Sequence, residues 1–83
     1  MLGGRRSGIR VTAYTPCVKG TIAKITNAIA ALGGDIVGLG FAEVTGASES
    51  RWELTFKVQD VSQAKLIEAI KPLVLEILDV RQV

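Results

Sequence analysis

The sequence predicts an α+β fold of two layers, in which two helices cover one face of a four-stranded antiparallel sheet in the chain order βαββαβ. Three observations carry this expectation. Apolar residues alternate with period two in four segments, two segments between them carry helical spacing, and glycine or proline stands where the period changes.

The first strand is Ile9 to Tyr14, with Ile9, Val11 and Ala13 on one face and Arg10, Thr12 and Tyr14 on the other. Thr15 to Gly20 interrupts the alternation, because Pro16 has no ladder donor and Gly20 permits a turn or a close backbone approach. From Thr21 onward Ile22, Ile25, Ile29 and Leu32 recur at helical steps, an amphipathic helix that Gly33 and Gly34 end. The second strand, Asp35 to Val44, sets Val37, Leu39 and Phe41 on one face and leaves Gly38, Gly40 and Ala42 nearly bare on the other. A bare face of this kind asks for a bulge, a closely packed neighbour or a ligand.

Thr45 to Ser50 has hairpin-loop character, and Arg51 to Val58 is the clearest strand of all. Its inward side is Trp52, Leu54, Phe56 and Val58, with Trp52 and Phe56 expected in the core. Asp60 or Ser62 can cap a second helix whose inner side reads as Val61, Ala64, Ile67, Ile70 and Val74, with Lys65, Glu68 and Lys71 outside. Pro72 should stop that helix near Lys71. Leu75 to Val83 returns to alternation as a final strand, with Val80 and Val83 near its end and either face able to turn inward. This order is the split βαβ arrangement of ferredoxin-like domains.

The chain of 83 residues has room for one domain, 9–83, preceded by a Gly- and Ser-rich stretch, 1–8, that reads as a flexible tail or linker remnant. A chain of this size buries only about 60–65% of its unfolded surface. With 48% hydrophobic but only 5% aromatic residues, the core must be aliphatic, and the apolar surplus makes self-association the natural outlet.

Lys and Arg number 10 against 8 Asp and Glu, but Arg5 and Arg6 lie in the leading stretch, and without them the signs balance. That body lacks the basic, aromatic-laced face by which nucleic acid is held. One cysteine and no histidine exclude a disulfide framework and the usual transition-metal sites. No apolar run approaches the length of a membrane span, so the expected location is the cytoplasm, with no nucleic-acid or membrane partner and no cofactor. An enzyme is not expected either: no nucleophile stands with a base, no P-loop glycines occur, and the carboxylates are scattered.

Two local stretches carry a resemblance. Thr15-Pro16-Cys17-Val18-Lys19-Gly20-Thr21-Ile22 is similar to the turn into the first helix of ACT domains, where a proline and a terminal glycine precede an apolar helix. Ala30-Ala31-Leu32-Gly33-Gly34-Asp35-Ile36-Val37 resembles the same family's helix end, glycine and Asn/Asp-Ile start of strand two. Cys17 stands where ligand-binding members often carry an acid, Lys19 replaces a common proline, and Asp35 replaces the more usual Asn. The resemblance implies homodimers or higher assemblies joined by sheet edges or helix faces, with ligand sites at those interfaces. It also implies a sensor serving a larger protein, such as an enzyme of amino-acid metabolism or a CBS-pair protein of the acetoin-utilisation type.

An amino-acid-like ligand needs donors for its carboxylate and an acceptor for its ammonium group. Backbone N–H groups around Gly20 and Thr21, at a helix start of partial positive charge, suit the first. Asp35 suits the second, with Ile36 and Val37 lending backbone groups. Plainer roles stand beside these: Gly20 relieving a turn, and Asp35 satisfying loop amides after Gly34. The expected function is therefore a regulatory module binding a small amino-acid-like effector at a homodimer interface, the alternative being a pure assembly domain without a ligand.

Overall fold

Alternation places Ile9, Val11, Ala13 and Thr15 on the buried side of β1 (Ile9–Pro16), with Arg10 exposed and Thr12 and Tyr14 half-buried on the other. In the computed structural model, which describes residues 8–16, 18–44 and 51–83, β1 is followed by α1 (Thr21–Ala31), β2 (Asp35–Val44), β3 (Arg51–Gln59), α2 (Gln63–Ile70) and β4 (Glu76–Gln82). A 3₁₀ turn, Lys71–Leu73, joins α2 to β4. The stretch before Gly8, Cys17 and the expected hairpin loop Thr45 to Ser50 lie outside the described residues. The strands form one antiparallel sheet in the order β2-β3-β1-β4, with both helices on one face, which is the ferredoxin-like α+β arrangement.

Side chains from two strands and two helices meet in one core: Ile9, Val11, Leu54, Phe56 and Val58 from β1 and β3, Ile25, Ile29, Leu66 and Ile70 from the helices. Burying each stabilises the fold by about 1.5–3 kcal/mol before the entropy of ordering it is counted. β1 runs two residues past its expected end, to Pro16. Its pairing with β4 stops at Tyr14 and Glu76, and Pro16 faces Arg51 of β3 alone, so the absent N–H interrupts no ladder on the β4 side. At the other end Gly8 and Val83 exchange two backbone hydrogen bonds of 3.0 and 2.9 Å, which extends the sheet by a residue pair.

α1 ends as its glycines predict. Gly33 takes φ 81°, its N–H donates to the Ala30 carbonyl at 2.9 Å, and the Gly34 N–H donates to Ile29 at 3.1 Å, the paired bonds of a Schellman cap. Gly34 has a second reason to lack a side chain, since a Cβ there would stand 2.9 Å from Ile29 Cγ2 and 3.0 Å from Val58 Cγ1. α2 starts at Ser62, whose hydroxyl accepts from the Lys65 N–H at 3.4 Å, while Asp60 takes a left-handed turn at φ 66° instead of capping.

Three expectations are corrected. The buried line of α2 is Leu66 and Ile70, with Ile67 half-buried and Ala64 exposed. Val61 and Val74 do pack on the core, but from outside the helix, and counting them in helical phase turned the inferred stripe by one residue. Trp52 is only half-buried and stands outside the core, because it lies near the sheet's end, opposite Thr15 and Glu43, with its ring 5.5 Å from that of Phe41. In β4 a register shift leaves Leu78 without a partner on β1, so Ile77 and Val80 both turn inward and no single alternation describes the strand.

The bare face of β2 resolves as a bend. Its register shifts between Ile36 and Gly38, leaving Val37 as the extra residue, and a Cβ on Gly40 would meet nothing within 4 Å. β2 is thus an edge strand with Leu39 and Phe41 on the helix side, yet beyond the cover of the helices: Val37 and Leu39 are each 48% exposed and Phe41 56%. No helix among the described residues is long and apolar enough to cross a membrane.

Candidate functional site

The turn from β1 into α1 is set by one backbone angle. Gly20 adopts φ 88°, a left-handed conformation that costs an L side chain about 1–2 kcal/mol, and its carbonyl accepts the first helical bond from Lys24 at 3.0 Å. Space is not what requires glycine here, because a Cβ would meet nothing within 4 Å. Val18, Lys19 and Gly20 are exposed, whereas Thr21 is buried under the helix start. Among the described residues no side chain caps α1, and its first turn carries no acid, so the positive end of the helix dipole faces outward where an anionic group can meet it. Thr21 contributes less than its position suggests, since its N–H is already donated to the Val18 carbonyl at 3.1 Å.

Asp35 opens β2 beside Gln59 of β3, with an exposed side chain. Ile36 pairs with Val58 and packs on the core, while Val37 stands out in the bulge. These three residues follow the end of α1, and Gly20 and Thr21 mark its start. An α-helix rises about 1.5 Å per residue, so the 11 residues of α1 hold the two groups about 16 Å apart. An amino acid separates its carboxylate from its ammonium by a few ångströms, and one chain cannot offer both groups to it. The described residues also form no enclosed pocket on the single chain.

One buried polar atom near the helix start was not foreseen. Thr15 is fully buried at the end of β1, and its Oγ1 has no hydrogen-bond partner among the described residues. Its alternation with Ala13 places it on the inner face, but the following Pro16 reads in the sequence as a turn, which hid it. Arg51 lies with its guanidinium carbon 4.9 Å from the Tyr14 ring centroid on the face away from the helices, a cation–π contact between β3 and β1.

No family model and no curated protein matches the sequence. Its three-dimensional arrangement is similar to that of the ACT domain from the GTP pyrophosphokinase of Chlorobium tepidum, with a TM-score of 0.50, 18% identity, and coverage of 93% of this chain and 95% of that one. At that identity the likeness is one of fold, and it extends over nearly every element described above.

Proposed function

We propose, from the ACT-domain fold and the placement of its helix ends, that this chain is a regulatory module rather than a catalyst. It pairs with a second copy, binds a small amino-acid-like effector between them, and transmits that binding to a larger protein, of which a CBS-pair protein is one type. The observation that carries the reading is the exposed edge strand β2. Among the described residues its outer N–H and C=O groups have no strand beside them, and Val37, Leu39 and Phe41 flank them.

β1 and β2 are both antiparallel to β3 and therefore parallel to each other. Gly20, past the end of β1, lies at the Val44 end of β2, and Asp35 lies at the opposite end. Antiparallel pairing of β2 with its copy sets Asp35 of each chain toward the Gly20 turn of the other, which closes the gap that α1 opens within one chain. The effector's carboxylate then faces the uncapped start of α1 and its ammonium faces Asp35, with Ile36 and Val37 offering backbone groups. Binding between copies favours one dimer arrangement over another, and coupling of about 1–3 kcal/mol is enough to regulate an attached domain.

A thermal-shift and calorimetric titration of the folded dimer with a panel of free amino acids tests this. A ligand at a hundred times its Kd adds about 2.7 kcal/mol, a rise in Tm on the order of ten degrees for a domain this small, and Asp35→Ala should abolish it. No shift with any member of the panel, on a chain shown to be a folded dimer, leaves an assembly domain without an effector.

A further inference from the structure

The sheet face turned away from the helices carries a charge pattern that pairing through β2 does not use. Directly opposite residues of adjacent strands point to the same side, so the register sorts this face into rows that cross the strands. One row is Arg81, Arg10 and Lys57, side by side on β4, β1 and β3. The next is Asp79, Thr12 and Thr55, the two hydroxyls 3.3 Å apart. The third is Glu76, Tyr14 and Glu53. Beyond the acidic row comes Arg51, beside Val44, and beyond the cationic row comes Asp35, beside Gln59.

Like charges set directly opposite each other destabilise a sheet. Arg81 finds relief, since its Nε donates to Asp79 Oδ2 at 2.8 Å, a hydrogen bond and charge that raise its pKa above the ordinary value. Arg10 and Lys57 have no acidic partner among the described residues, and Glu53 and Glu76 have no cationic one. On β2 the same face is Gly38, Gly40 and Ala42, which leaves that side of the sheet low and open to close approach.

We propose that this face pairs with the same face of a second copy, about a two-fold axis that lies between the two sheets, crosses the strands and passes over Thr12 and Thr55. That operation keeps each strand over its own copy and reverses the order of the rows. Lys57 then meets the partner's Glu53, and Arg81 meets the partner's Glu76. Arg10 comes toward the partner's Glu53 and the partner's Glu76, which flank Tyr14 in that row, while each Arg51 stays on the Tyr14 ring of its own chain. The charges favour this axis, because a two-fold axis running along the strands sets the whole cationic row on itself, whereas this one brings together only Asp79 and its copy, each held by Arg81 of its own chain. Sheet twist turns aligned sheets about 30° apart, so the match is closest at the central strands β1 and β3.

Four strands about 4.8 Å apart, over about 27 Å of strand, cover on the order of 500 Å² per copy. That is about 1,000 Å² in total, the lower edge of specific interfaces, which makes this contact weak and salt-sensitive. It is separate from β2 and goes beyond the function proposed above.

Sedimentation equilibrium of the full chain carrying Phe41→Glu, which weakens association through β2, isolates the new contact. At about 50 mM salt this variant should dimerise, and Lys57→Glu or Glu53→Lys alone should each weaken the dimer about tenfold, because symmetry repeats every pair twice. Combining the two exchanges the charges across the axis and should restore association to within about threefold, although the two positions lie about 13 Å apart on one strand and cannot meet within a chain. Circular dichroism must match across the set, which the exposed Phe41 and Glu53 and the half-buried Lys57 permit. A Phe41→Glu chain that stays monomeric, or a double variant no tighter than either single one, overturns the proposal. So does a Glu53→Lys chain that associates as before, the result expected if the cationic row held a free anion. Failure of Phe41→Glu to weaken the parent assembly speaks against the β2 reading alone.

Discussion

Thr15 shows how one atom can be out of step with its neighbours. Its β-branched side chain suits the inner face of β1, yet the hydroxyl it carries is buried with nothing to bond among the described residues. An unsatisfied buried polar group costs about 1–3 kcal/mol, and valine has the same shape without it. Thr15→Val should therefore raise stability by about 1 kcal/mol in urea unfolding, and a loss of that size would show that the hydroxyl has a partner in solution. The two glycines after α1 separate in the same experiment by cause. Gly33→Ala forces an L side chain to φ 81° and should cost about 1–2 kcal/mol. Gly34→Ala pushes a methyl against Ile29 and Val58 and should cost about 1–3 kcal/mol. The pair Gly33-Gly34 was legible as a helix stop, but the crowding behind Gly34 belongs to packing that no local pattern records.

At the scale of elements, α2 is where the periodic reading and the packing part. Its sequence stripe gives Ile67 the inner place, whereas the structure buries Leu66 completely and leaves Ile67 at the margin. Leu66→Ala should thus cost about 2–5 kcal/mol, the range for a fully buried aliphatic truncation, and Ile67→Ala clearly less. The reverse order in denaturant titration would restore the sequence stripe. β4 teaches a related lesson. Its bulge at Leu78 adds one residue to the strand, which flips every later side chain relative to the earlier ones, so period two fails although the strand is real.

For the whole molecule, the deciding feature is that two helices do not cover four strands. The core under α1 and α2 is complete at β1 and β3, while the outer half of β2 keeps its large side chains in solvent. Light scattering at micromolar concentration and about 150 mM salt, where the charged sheet-face contact is largely screened, should report at least a dimer, and Phe41→Glu should lower the mass by half or more if β2 joins the copies. Because assembly binds only folded chains, Tm should also rise with protein concentration. A monomer with a concentration-independent Tm would remove the surface on which the effector site depends. The candidate residues follow the same logic. Gly20 and Asp35 were legible as unusual positions in a strand-to-helix turn and at a strand start, and the helix between them already implied their separation; not legible was which end of β2 each lies at, since that is set by the parallel course of β1 and β2.

The sequence by itself determined the order and nature of the four strands and two helices, because alternation, helical spacing and glycine stops are local and act on the backbone directly, while the 3₁₀ turn after α2 and the choice of Ser62 over Asp60 as its cap were not fixed by it. It also determined that this small aliphatic chain would have more apolar surface than it could cover. Only the tertiary structure decided which strand lies at the edge, where the two bulges fall, that Trp52 stays half outside the core, and that charges scattered along three strands line up in rows across them. Those depend on register and on the reach of the helix layer, which are set by contacts between residues far apart in the chain.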